Sequence, residues 1–247
     1  MVGEVKMAIQ GIANRFGYQI RRQDTGVDLI DAYAEQRRIL GADVKTVFEV
    51  GAFDGRDCLR YAELFPAAKV YAFEPVPESF AQVQQRAADC PRIIAVNAAL
   101  ADRAGTAEFH LSNWVDASSL LKPKATGSSF DAYQASSKSI TVAVDTIDAV
   151  CQRTSVSRID LLKMDAQGAE LKILAGGRQM FERGAIDMVF SEVHFLESYE
   201  GAARFDQIMA LLMQHGFHFH NFYGLNHNHR GQATWGDALF VHPRITY

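Results

Sequence analysis

The chain has 247 residues, a formal net charge of −4, 48% hydrophobic residues and 22% charged residues. That length and balance suit one α/β domain with a full core, and they exclude a disordered chain or one with a broad basic face for nucleic acid. Three scattered cysteines, Cys58, Cys90 and Cys151, form no CxxC pair, and no apolar run approaches the ~18 residues of a membrane span. We therefore expect a cytoplasmic protein with reduced thiols and no membrane span. Cys58 falls near the start of a predicted helix and is read as a packed side chain.

In chain order, the first elements are helical. Val5, Ile9, Ile12 and Phe16 recur at helical spacing, and Gly17 ends that helix. A second helix is predicted from Asp28 to Leu40, with Gly41 as its stop. Residues 1–42 thus read as a helical extension. It would cap the sheet or the ligand crevice, or serve as a contact between two copies in a homodimer.

From residue 43 onward the pattern alternates. Strands are predicted at Thr46–Val50, Lys69–Phe73 and Ile93–Asn97, with helices at Asp57–Leu64 and Glu78–Ala88 between them. Such alternation with short connections specifies a parallel sheet covered on both faces by helices. A strand at Asp160–Met164, a helix at Ala169–Met180 and a strand at Asp187–Glu192 continue it. A helix at Phe205–His215 follows, then strands at Phe217–Tyr223 and Ala238–Val241 separated by about a dozen residues. That ending predicts an antiparallel last strand. A seven-stranded, mostly parallel sheet with that ending is the class I methyltransferase arrangement, a Rossmann-like fold. Between predicted strands Ala107–Leu111 and Ile140–Val144 lies an insertion, residues 112–139, too long for an ordinary connection and read as a lid or substrate loop. It carries Trp114, Lys122, Lys124, Phe130 and Tyr133, residues suited to stacking on and hydrogen bonding with a sugar. No second domain is indicated.

The chemistry concentrates where strands end. Thr46–Val50 runs into the turn Gly51-Ala-Phe-Asp-Gly55, and the glycines would let backbone approach a ligand. Phe53 stands where a dinucleotide fingerprint has its middle glycine, so a diphosphate is disfavoured. S-adenosyl-L-methionine carries no phosphate. Its methionine part would lie beside Gly51, Ala52, Phe53 and Gly55, with Glu49 and Asp54 answering its positive charge. Glu74, directly after the second strand and followed by Pro75, is placed to accept hydrogen bonds from ribose hydroxyls. Asn97 to Leu100, Ala99 among them, would meet the adenine.

The order and spacing of many blocks resemble the FkbM family of S-adenosylmethionine-dependent methyltransferases over about Val44 to His242. The blocks are Glu49–Gly55, Val70–Pro75, Asn97–Leu100 with Gly105–Phe109, Ser118–Leu120, Val142–Asp148, Ile159–Glu170, Leu174–Gly177 and Ser191–His194. Two positions depart from the family pattern. Phe53 replaces a frequent Asn, and Gln167 replaces the Glu of an Asp-x-Glu-Gly block, leaving Asp165 and Glu170 as the carboxylates there. The resemblance implies methylation of a hydroxyl on a sugar, glycan or natural product. Asp165 or His194 would accept the proton, the imidazole having the better ordinary pKa for that task. Ser118, Ser119, Gln167, Glu192 and His194 are the acceptor-side candidates, and Asp165 also borders the donor. The competing functions are a nicotinamide-dependent oxidoreductase and a non-catalytic cofactor-binding assembly subunit. His218, His220, His227 and His229 read as exposed side chains that could line an acceptor pocket with Tyr223 and Asn226. We expect no metal.

Overall fold

The computed structural model describes residues 31–125 and 136–245. The helix expected over Val5–Phe16, and Phe130 and Tyr133 of the insertion, lie outside the described residues. Helix α1 (Ala32–Leu40) begins at Asp31, whose carboxylate accepts from the Tyr33 and Ala34 amides, and stops at Gly41 with φ 72°. Asp31 therefore supplies the first-turn acceptor that a helix start requires.

The central sheet is built from β1 (Thr46–Val50), β2 (Lys69–Phe73), β3 (Ile93–Val96), β7 (Ile159–Met164), β8 (Ile186–His194), β9 (His218–His227) and β10 (Ala233–Val241). Its strand order is β3-β2-β1-β7-β8-β10-β9. The first five are parallel neighbours, while β10 runs antiparallel to both β8 and β9. The chain thus has the class I methyltransferase fold.

Alternate residues of each strand face opposite layers. Phe48 and Val50 pack under α4 (Ile147–Thr154), α5 (Glu170–Ala175), α6 (Arg178–Glu182) and α7 (Phe205–Gln214). Val47 and Val70 pack under α1, α2 (Arg56–Leu64) and α3 (Pro77–Asp89). α1 buries Ile39 in that second layer, so it packs on the sheet's own helical layer.

Several predicted boundaries change, and the helix Ile147–Thr154 was not predicted. The expected helix over Ala169–Met180 is two helices, broken at Gly176-Gly177. A Cβ at Gly176 would sit 2.1 Å from the Ala101 carbonyl oxygen, and one at Gly177 would press on Ile147, so tertiary contact sets the break. The final strands are longer than predicted and join through residues 228–232, making a hairpin rather than two strands and a long loop. The insertion is partly regular. β4 (Ala99–Leu100), β5 (Gly105–Ser112) and β6 (Ser136–Asp145) form a small sheet in the order β4-β6-β5. Val115–Ala117 is a turn of 3-10 helix, and Ser119 folds back to exchange backbone hydrogen bonds with His110. Among the described residues no helix is long and apolar enough to cross a membrane.

Candidate active site

The parallel strands end together, and the chain leaving each end builds a cavity of about 290 Å³. Its floor is the β1 turn. Gly51 has φ 81°, and a Cβ there would lie 1.9 Å from the Asp165 carbonyl oxygen. Close approach of backbone to backbone therefore requires the glycine, which also lines the cavity. Phe53 adopts φ 47°, unusual for a bulky residue, and its amide donates to Glu74 Oε2 at 2.8 Å. The Val76 amide donates to Glu74 Oε1, also at 2.8 Å. The carboxylate that follows β2 is thus fixed by two amides while it lines the cavity. Burial pushes it up to about 7, and the two amides pull it back only in part.

The walls are apolar where an adenine ring would lie. Val76, Ala99, Leu100 and Phe109 line them, the last from the small sheet. Asn97 does not reach the cavity; its amide donates to the Glu74 and Pro75 carbonyls and braces the loop. Ala52, Phe53, Asp54, Pro75, Ser118 and Asp165 all line the cavity. Gly55 lies behind the lining with φ 76° and starts α2. Five carboxylates, Asp54, Asp57, Glu74, Asp116 and Asp165, face two cations, Arg56 and Lys163. An acid-rich lining suits a cofactor carrying a sulfonium and an ammonium, and it opposes a diphosphate. The residues present therefore fit S-adenosylmethionine. Asp116, in the 3-10 turn, and Asp57, one residue into α2, carried no recognisable motif and were missed by sequence reasoning.

Glu49 is placed elsewhere. It is fully buried beneath the floor, opposite Lys163 in the β1–β7 register, with its Oε1 2.7 Å from Lys163 Nζ. Burial drives the Glu49 carboxyl up to about 7 and the Lys163 charge draws it back, while Glu49 and Asp165 hold Lys163 protonated. Glu49 is a partner for Lys163 and lines no cavity described here.

Asp165, one residue past β7, is held on both sides. Gln167 Nε2 donates to its Oδ1 at 2.8 Å, and Lys163 Nζ lies 3.7 Å from its Oδ2. Gln167 has φ 53°, and its amide nitrogen also reaches Glu192 Oε2 at 3.1 Å. The Tyr199 hydroxyl lies 2.8 Å from Gln167 Oε1, and Ser119 Oγ donates to the Gln167 carbonyl at 2.8 Å. A neutral amide here gives two carboxylates a shared donor, where a third carboxylate would repel both. Ser119 braces this turn, and Ser118 Oγ accepts from the Ser112 amide at 3.0 Å while lining the donor cavity.

His194 does not follow β8; it is the strand's last residue, 2% exposed, and it lines neither cavity. Its Nε2 lies 3.0 Å from Glu192 Oε1, its ring packs edge-on against Tyr199, and burial lowers its pKa. Glu192 is itself buried and pushed well up, first by burial and then by Asp165 and Asp237. Glu170 is likewise buried, accepts from the Ala166 amide at 2.9 Å and is raised to about 7 by burial.

A second cavity of about 450 Å³ shares Asp57, Lys163 and Asp165 with the first. Tyr33 of α1, Arg60, Tyr223 and Asp237 complete much of its wall. The C-terminal histidines and Asn226 do not line it; His220 instead meets Glu35 of α1 at 2.8 Å. Among the described residues no group of three or more His, Cys, Asp or Glu converges on a metal-sized site. Cys58 is buried in α2 and its thiol is pushed well up by burial.

Residues 49–219 match the family described as the methyltransferase FkbM domain. The 2-O-methyltransferase NoeI of Sinorhizobium fredii is 30% identical over 173 residues, covering 67% of this chain and 70% of that protein. The crystal structure of a methyltransferase FkbM from Methylobacillus flagellatus aligns over 81% of this chain with a TM-score of 0.50 and 16% identity. This chain spans 44% of that solved chain, and at that identity the likeness concerns the fold alone. An rRNA methylase from Streptococcus thermophilus aligns over 85% of this chain and 93% of its own, at 10% identity and a TM-score of 0.47. With its strand order, its acid-lined cavity and a family match over most of its length, the chain belongs to the FkbM methyltransferases and is an S-adenosylmethionine-dependent methyltransferase.

Proposed function

We propose that this methyltransferase transfers the methyl group to a hydroxyl of a sugar, glycan or polyhydroxylated natural product, with Asp165 as proton acceptor. The observation that carries the reading is the position of Asp165. Its side chain is 36% exposed and lines both cavities, so a carboxylate stands where the two meet. The relative named as a 2-O-methyltransferase supports oxygen as the atom methylated.

When bound, S-adenosylmethionine supplies an electrophilic methyl group on a sulfonium. The chain's own residues would do the rest. Glu74, fixed by the Phe53 and Val76 amides, holds the ribose end, and the slot at Ala99 and Leu100 receives the adenine. Gln167 sets the carboxylate plane of Asp165 through Oδ1. Asp165 would take the proton that the acceptor hydroxyl gives up on methylation. Positioning accounts for much of such an in-line displacement, and a placed base adds roughly 10²–10⁴-fold. Of the two bases weighed from sequence, only Asp165 borders the cavities. His194 sits behind it, neutral and buried, and supports Glu192.

The test uses methyl-labelled S-adenosylmethionine and a panel of hydroxylated acceptors, with product bonds assigned by NMR. The reading expects a methyl ether in the product. It also expects Asp165→Asn to retain S-adenosylhomocysteine binding while kcat drops by roughly 10²–10⁴-fold. Label appearing only on nitrogen or carbon, or unchanged turnover in Asp165→Asn, would refute it.

A further inference from the structure

The second cavity has a charge pattern that selects among acceptors. We propose that it is the acceptor subsite, and that it takes a neutral or amine-bearing polyol ring while excluding an acidic one. This rests on the oxygen-methylation reading above and deepens it.

The subsite touches the donor cavity through Asp57, Lys163 and Asp165, so a ring seated there presents a hydroxyl to Asp165. Its volume, about 450 Å³, falls within the ordinary range for small-ligand sites. Its two cations are already engaged. Lys163 Nζ lies 2.7 Å from Glu49, and Arg60 lies 3.2 Å from Asp31 with its guanidinium 3.5 Å above the Tyr33 ring. An entering carboxylate, sulfate or phosphate would meet four carboxylates, Asp31, Asp57, Asp165 and Asp237, against these two cations, each of which already faces a carboxylate.

Those same carboxylates are acceptors, and hydroxyl or ammonium groups are donors. Asp237 is mostly buried and is raised to about 6 by burial and then by Asp165. Tyr223 contributes its ring to the wall, and its hydroxyl is sealed from the cavity. Together these groups would read the hydroxyl pattern of a ring by accepting several hydrogen bonds.

The test is calorimetry on the full chain saturated with S-adenosylhomocysteine. The titrants are methyl glucoside, methyl glucosaminide and methyl glucuronide, which share a ring and differ in charge. The neutral and amino sugars are expected to bind, and the uronide to bind at least about tenfold more weakly. Asp237→Asn is expected to reduce the preference for the amino sugar. Equal or tighter binding of the uronide, no heat from any of the three sugars, or an unchanged amino-sugar preference in that variant would overturn the proposal. The charge series on the unaltered chain stands even if a variant fails to fold. Failure of that chain to bind S-adenosylhomocysteine would instead strike at the donor half of the mechanism.

Discussion

Replacing Lys163 with Met would expose what the buried pair beneath the site contributes. Lys163 and Glu49 have side chains 8% and 1% exposed, and their charged atoms lie 2.7 Å apart. Among the described residues Glu49 has no hydrogen-bond partner besides this ion pair. Met keeps the volume and the apolar stem, so packing changes little. The charge change leaves Glu49 buried alone, and breaking one side of such a pair destabilises by about 3–5 kcal/mol.

The sign with pH follows from the raised pKa of Glu49. A carboxyl raised to about 7 in the folded chain contributes stability that is complete below its unfolded pKa and is lost as pH rises through 7. Removing Lys163 raises it further, so the loss continues past 7 by about 1.4 kcal/mol per pH unit for this one group. Denaturant unfolding of parent and variant at several pH values would measure this. We expect the gap to widen by about 1.4 kcal/mol from pH 7 to pH 8, to change little below pH 6, and to recover in Glu49→Gln/Lys163→Met. A gap that stays constant with pH, or one below about 1 kcal/mol at pH 8, would refute the reasoning.

Glu74→Ala should weaken S-adenosylhomocysteine binding by about 10–100-fold in calorimetry, the range for hydrogen bonds to a charged group. Because Glu74 titrates at about 7, affinity in the unaltered chain should also fall as pH drops below that value; a flat profile from pH 6 to 8 would contradict the ribose role. His194→Gln should lower the denaturation midpoint while kcat changes far less than the loss of a general base would bring. A collapse of kcat with unchanged folding would return His194 to the catalytic role. Gly51→Ala should destabilise by more than about 2 kcal/mol, since its Cβ would meet the Asp165 carbonyl at 1.9 Å and φ is 81°. An unshifted midpoint in thermal unfolding would exclude that explanation.

The sequence by itself determined the strands that matter most, their order along the chain and the residues at their ends. β1 and β2 match the predicted Thr46–Val50 and Lys69–Phe73, because strands buried on both faces read as short apolar runs between turn residues. Glu74 and Asp165 were legible for the same reason, since each stands one residue beyond a strand and so at the open edge of the sheet. Register was not legible. Glu49 and His194 look equivalent to those two in sequence, yet each still belongs to its strand. Glu49 is sealed against Lys163 by the β1–β7 pairing, and His194 is covered where Trp235 of β10 pairs with it. Those pairings join segments far apart in the chain, and no local periodicity encodes them. Only the tertiary structure brought Tyr33, Arg60, Tyr223 and Asp237 together, since the helix before β1 and the hairpin after α7 are far apart in the chain and meet where His220 contacts Glu35. The residues at strand ends are therefore written in the sequence. The second cavity, our proposed acceptor subsite, depends on which distant elements the pairing of strands makes into neighbours.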